Sequence, residues 1–145
     1  MSTTKANISS LPLWQEFPDI ELYMDQLVNL SNRSLNSLIE TPITAAMVNS
    51  YVKKGLITRP IKKRYTSTQL AELILLSLFK TVYSLETVEK LLPSKITQKD
   101  YDAIALSFNE MLKQLPKISS LALDAPQQLA LQTVILKKLT FEALK

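Results

Sequence analysis

Apolar residues recur along most of this chain at helical spacing, and strand-type alternation is hard to find. Ile20, Tyr23, Met24, Leu27 and Val28 form the first stripe, with Asp19 suited to cap a helix beginning at Ile20. Ser31 and Asn32 predict a break or bend, after which Leu35, Leu38 and Ile39 resume the stripe up to Glu40. Pro42 disfavours helical geometry at Thr41 and ends that pattern. Thr44 suits the N-cap of a second helix with Met47, Val48, Tyr51 and Val52 on its buried face. Gly55 is expected to stop it in a left-handed conformation.

Leu56 to Tyr65 reads as a loop or rudimentary hairpin, since Pro60 fits only an edge or a turn. Thr66 and Gln69 form a capping box for a helix over Ser67 to Tyr83. That helix is apolar nearly all round, so it is expected to be central and buried. Ser84 caps a short helix carrying Leu85, Val88, Leu91 and Leu92, closed by Pro93.

Beyond it, Thr97 caps a helix with Tyr101, Ile104, Ala105, Phe108, Met111, Leu112 and Leu115 on one stripe, ended by Pro116. Asp124, with Pro126 in the first turn, starts a last helix through Leu139 and on towards Leu144. These two helices are expected to pair as a helical hairpin. Residues 1–11 read as a disordered lead, and Trp14 and Phe17, between Pro12 and Pro18, as an anchor on the core. The expected division is the lead, a DNA-binding unit over 12–93, and a packing or dimerisation segment over 94–145.

Composition narrows the chemistry. The chain has 145 residues, with no cysteine, no histidine and one glycine. Disulfides, the commonest zinc ligands and Ser-His or Cys-His nucleophile systems are excluded. One glycine cannot build a P-loop or a dinucleotide fingerprint. No carboxylate spacing suggests acid–base catalysis. The expectation is therefore no enzyme, no cofactor and no metal. No apolar leader segment or membrane span is read, so a cytoplasmic location is expected.

Charge is informative through its placement. The net charge is only +4, but Thr41 to Ala71 holds no acidic residue while carrying Lys53, Lys54, Arg59, Lys62, Lys63 and Arg64. Such a field attracts polyanions, although a charge run can also be a solvated face with no partner. The order of elements reads as a helix-turn-helix: Ser34 to Glu40, a turn over Thr41 to Ile43, then Ala45 to Lys54. Ala46, Asn49, Ser50 and Lys53 share the side opposite the apolar face, with Thr44 at the start.

Three runs then become familiar: Ile43 to Ile57, Lys63-Arg-Tyr-Thr66, and Ser84 to Leu92. Together they resemble the DNA-binding domain of MerR-type regulators over about residues 34–92. Pro18 to Gln26, Val48 to Lys54 and Arg59 to Thr66 look more narrowly like the bacterial family called domain of unknown function 1836, over about residues 11–92. The scarcity of strand alternation predicts an all-α fold, and the loop between Gly55 and Tyr65 is shorter than a full MerR wing hairpin, so a short or vestigial wing is expected. The MerR resemblance implies a recognition helix over 44–54 and a basic loop over 56–65. Backbone contact by Tyr51 follows from the resemblance, whereas its spacing with Met47 and Val48 puts it at least partly in the core. MerR-type helices usually carry arginine where Ala46 stands and an Arg-Tyr pair where Asn49 and Ser50 stand.

The candidate DNA-contacting set is Thr44, Ala46, Asn49, Ser50, Tyr51, Lys53, Lys54, Arg59, Lys62, Lys63, Arg64 and Tyr65. Asn49 can bond adenine N6 and N7 bidentately, or serve as an ordinary surface residue. The expected partner is double-stranded DNA bound by a homodimer, with any small-molecule effector left open. The competing expectation is a protein-interaction adaptor that kept this fold without binding DNA.

Overall fold

A computed structural model of the chain describes residues 8–114 and 124–145. Among these residues the regular structure is helical. A short 3-10 turn at Trp14–Glu16 precedes α1 (Met24–Leu35), α2 (Ala45–Lys53), α3 (Ser67–Lys80), α4 (Leu85–Leu91), α5 (Gln98–Lys113) and α6 (Ala125–Ala143). No helix among the described residues is long and apolar enough to cross a membrane. The protein divides into two compact units. One, running to Leu112, holds α1 to α5, and the other holds α6.

The core of the first unit forms around α3, as its unbroken apolar sequence predicts. Every residue from Gln69 to Leu78 is buried, and α1 and α4 both pack on this helix. Thr66 and Gln69 form the expected box: the Gln69 side-chain oxygen accepts from the Thr66 N–H at 2.8 Å. Ser84 caps α4 by accepting from the Thr87 N–H, and Thr97 caps α5 by accepting from the Asp100 N–H. In α6, Asp124 accepts from the Gln127 N–H as its position predicts.

Four expectations about α1 and its surroundings are corrected. The helix starts at Met24 rather than Ile20, because Leu22 exchanges both backbone hydrogen bonds with Tyr65, each at 2.7 Å. A residue held extended in a bridge cannot also be helical. Ser31 and Asn32 do not break α1; Ser31 is wholly buried inside it. The helix ends at Leu35, so the segment Ser34 to Glu40 is not a separate helix. Instead the Leu38 and Ile39 N–H groups both return to the Leu35 carbonyl in a turn. The fourth correction concerns the chain before α1, where Ser9 donates its N–H to Ser37 and Leu11 is buried. The expected lead is thus tied down by residue 9, while residues 1–7 lie outside the described ones.

The expected boundary at residue 93 also moves, because α5 belongs to the first unit. Tyr101 and Ala105 are fully buried, and Ile104 and Phe108 pack partly buried against the same core. The N-terminal anchor holds them: Phe17 and Trp14 meet the Tyr101 ring at centroid distances of 5.1 and 6.2 Å. The Tyr101 hydroxyl donates to the Pro12 carbonyl at 2.7 Å. Burial, with smaller contributions from the charges of Asp102 and Glu16, pushes its ionisation well above the usual phenol range. Asn109 completes the attachment by accepting from the Leu11 N–H and donating to the Leu11 carbonyl. Leu115, Pro116 and the turn of the expected α5–α6 hairpin lie outside the described residues.

Candidate nucleic-acid interface

The segment from Ile43 to Tyr65 is built from α2 and a minimal hairpin. α2 begins where Thr44 accepts from the Met47 N–H at 3.2 Å. Its expected sidedness holds. Val48 and Tyr51 are buried with Met47 and Val52 partly so, while Ala46, Asn49 and Lys53 are exposed and Ser50 is half-buried. Gly55, at φ +77°, ends it. The Gly55 N–H bonds the Val52 carbonyl and the Leu56 N–H bonds the Tyr51 carbonyl, which together form a Schellman cap.

The start of α2 is fixed by Asn32, one of the two residues expected to break or bend α1. Asn32, inside α1, accepts from the Ile43 N–H at 2.7 Å and donates to the Ile43 carbonyl at 2.9 Å. Ile43 immediately precedes the Thr44 cap, so α1 sets where α2 begins. No local sequence signal points to this clasp, because its partners are far apart in the chain.

The loop after α2 is anchored on α3. Thr58 donates its N–H and its hydroxyl to the two carboxylate oxygens of Glu72, at 3.0 and 2.9 Å. Burial raises the Glu72 carboxyl above the usual range, against smaller lowering effects from both Thr58 bonds and from Lys95. Glu72 ends the acid-free stretch in sequence, and it faces that stretch in space. Next, Gln69 donates to the Arg59 carbonyl.

The hairpin itself is one turn long. Ile61 and Arg64 exchange both backbone hydrogen bonds, at 3.0 and 3.1 Å. The two residues between them, Lys62 and Lys63, have φ of 51° and 63°. Positive φ at both central positions is the type I′ arrangement, which normally draws asparagine and glycine. Here two lysines occupy it, and both side chains are exposed.

Not every candidate lies on the surface. Tyr51 and Tyr65 are each only 3% exposed and belong to the core. This settles the two readings of Tyr51 in favour of packing and removes Tyr65 from the exposed set. The Tyr51 hydroxyl accepts from the Lys80 ammonium at 2.7 Å, and burial raises the Tyr65 phenol. Thr44, Ala46, Asn49, Lys53, Lys54, Arg59, Lys62, Lys63 and Arg64 are exposed.

Arg64 has neighbours that the acid-free run conceals. Its guanidinium lies 3.8 Å from the Glu21 carboxylate and 5.7 Å from the centre of the Tyr23 ring. Glu21 and Tyr23 flank Leu22, which is paired with Tyr65. Alternation along both extended segments puts Leu22 and Tyr65 inside, and Glu21, Tyr23 and Arg64 outside.

These features define an all-helical protein in which a short two-sided helix leads into a basic hairpin braced on a buried helix. The chain belongs to the family described as domain of unknown function (DUF1836), whose family model matches residues 12–119. That span reaches past the segment expected from the motifs and takes in α5. No curated protein and no solved structure matches the chain.

Proposed function

We propose that the protein is a sequence-specific DNA-binding transcriptional regulator of MerR-like design. In this reading α2 enters the major groove and the hairpin lies on backbone phosphates. One observation carries it. α2 commits one side to the core and leaves Ala46, Asn49 and Lys53 exposed, and it leads without an intervening acid into a turn with Lys62 and Lys63 at its tip. Phosphate contacts supply most protein–DNA hydrogen bonds, and lysine and arginine make many of them. Base reading would rest on Asn49 and Ser50.

Such modules commonly bind as dimers. The second unit supports dimerisation, since α6 exposes Leu131, Val134, Ile135, Leu136 and Leu139. A light-scattering mass equal to one chain at micromolar concentration would contradict a dimer.

A second reading, an adaptor that does not bind DNA, draws on the Glu21–Arg64 pair and on the absence of any cation in α2 before Lys53. Selection of genomic fragments with purified protein, followed by gel shifts across a salt titration, separates the two. A regulator yields an enriched site and salt-steep affinity, because neutralised phosphates release counterions. Replacing Lys62, Lys63 and Arg64 with glutamate should abolish binding to every sequence. No enriched site and no binding at low salt would favour the adaptor.

A further inference from the structure

On the far side of α2 from Asn49 lies a cavity of about 510 Å³. Its apolar wall includes Leu38, Ile39, Ile43 and Met47, from the α1–α2 turn and the buried side of α2. Tyr51, Ser77 and Lys80 also line it, from α2 and the last turn of α3. This size lies within the range of small-molecule sites, and an apolar wall with a few convergent polar groups is their usual make-up.

Lys80 is exposed, and its ammonium has three N–H donors, of which one goes to the Tyr51 hydroxyl. Tyr51 accepts in that bond, so its own O–H is left to donate. Ser77 also lines the cavity, but its hydroxyl oxygen is buried within the wall and is not reached from it. Lys80 and Tyr51 thus offer one cationic and one neutral donor at the cavity. An oxyanion supplies acceptors for both, with charge-assisted bonds to the ammonium. Glu40, also at the wall, is exposed, and its charge disfavours a ligand with several negative charges.

We infer that this cavity binds a small monocarboxylate with an apolar body, its carboxylate on Lys80 and Tyr51 and its body against Leu38, Ile39 and Met47. The site does not depend on α2 reading DNA and can be tested without nucleic acid.

The test is a two-dimensional amide NMR titration of the full chain with octanoate, and with octanamide as its uncharged counterpart. Saturable shifts are expected for amides in 38–43, Met47, Tyr51 and 77–81, with octanamide about tenfold weaker or worse. Lys80→Met keeps the length of the side chain and removes the donors. It should preserve the dispersed spectrum and bring octanoate down to the level of octanamide. Tyr51→Phe should weaken octanoate more than octanamide. Three results would each overturn the assignment: no saturable shift with octanoate, equal binding of the two probes, or shifts confined to the exposed apolar residues of α6.

Discussion

Asn32 grips the Ile43 peptide from both sides, accepting its N–H and donating to its carbonyl at 2.7 and 2.9 Å. Through this pair the position of α2 is set by α1, and not by the turn between them. The turn contributes its own hydrogen bonds at Leu38 and Ile39, before the clasp is reached.

Asn32→Ala should therefore cost about 1–3 kcal/mol of unfolding free energy, the worth of two partly buried hydrogen bonds. Hydrogen exchange should speed up most at Ile43 and the first turn of α2. A uniform change across all helices would show that the clasp has no local role. Asn32→Asp keeps the acceptor and loses the donor, so it should fall between the wild type and alanine.

Lys62 and Lys63 hold a conformation that glycine adopts without strain, and a side chain in the left-handed region costs roughly 1–2 kcal/mol. Replacing the pair with Asn-Gly should raise stability by about 1 kcal/mol or more, read from the denaturant midpoint at constant slope. On the DNA-binding reading it should also flatten the dependence of log affinity on log salt by up to about two. A pair whose replacement raised stability and left that slope untouched would have no part in phosphate binding.

Glu21 holds Arg64 on the surface, where both side chains are about half exposed. Exposed pairs contribute little, so Glu21→Gln should move stability by less than about 1 kcal/mol. On the DNA-binding reading it should strengthen binding to duplex DNA of any sequence at low salt, because Arg64 and the hairpin lysines gain a more positive field. Weaker binding in this variant would mean that Glu21 aids the interface by orienting Arg64.

Glu72 offers a pH test. Burial raises its carboxyl in the folded protein, so the folded state takes up a proton more readily than the unfolded chain. The linked stability is fully present below the unfolded value and is lost as pH rises through the folded one. Glu72→Gln should therefore gain on the wild type as pH climbs from about 4 to neutrality, in urea midpoints measured in parallel. Parallel profiles would show that the Thr58 bonds offset the burial. Glu72→Ala should be worse than glutamine at every pH, since it strands both Thr58 donors.

The sequence by itself determined the caps, the sidedness of α2 and the central place of α3. Thr44, Gly55, the Thr66–Gln69 box, Ser84, Thr97 and Asp124 all sit where local geometry needs them. These are short-range matters, set by hydrogen bonds within four residues and by the helical period. The acid-free basic run was equally plain, and so was the family, whose motifs lie in contiguous segments. Only the tertiary structure decided the rest. Leu22 is drawn out of α1 because Tyr65 supplies an extended partner, and Asn32 stays helical because its polar atoms find Ile43. Glu21 comes back to Arg64, α5 joins the first core through Tyr101, and Tyr51 turns inward to Lys80. Each of these contacts joins residues far apart in sequence, and its energy appears only once the chain has closed the loops between them. The run from Ile43 to Tyr65 is thus legible as a charged two-sided element, while the residues that position and temper it lie outside it.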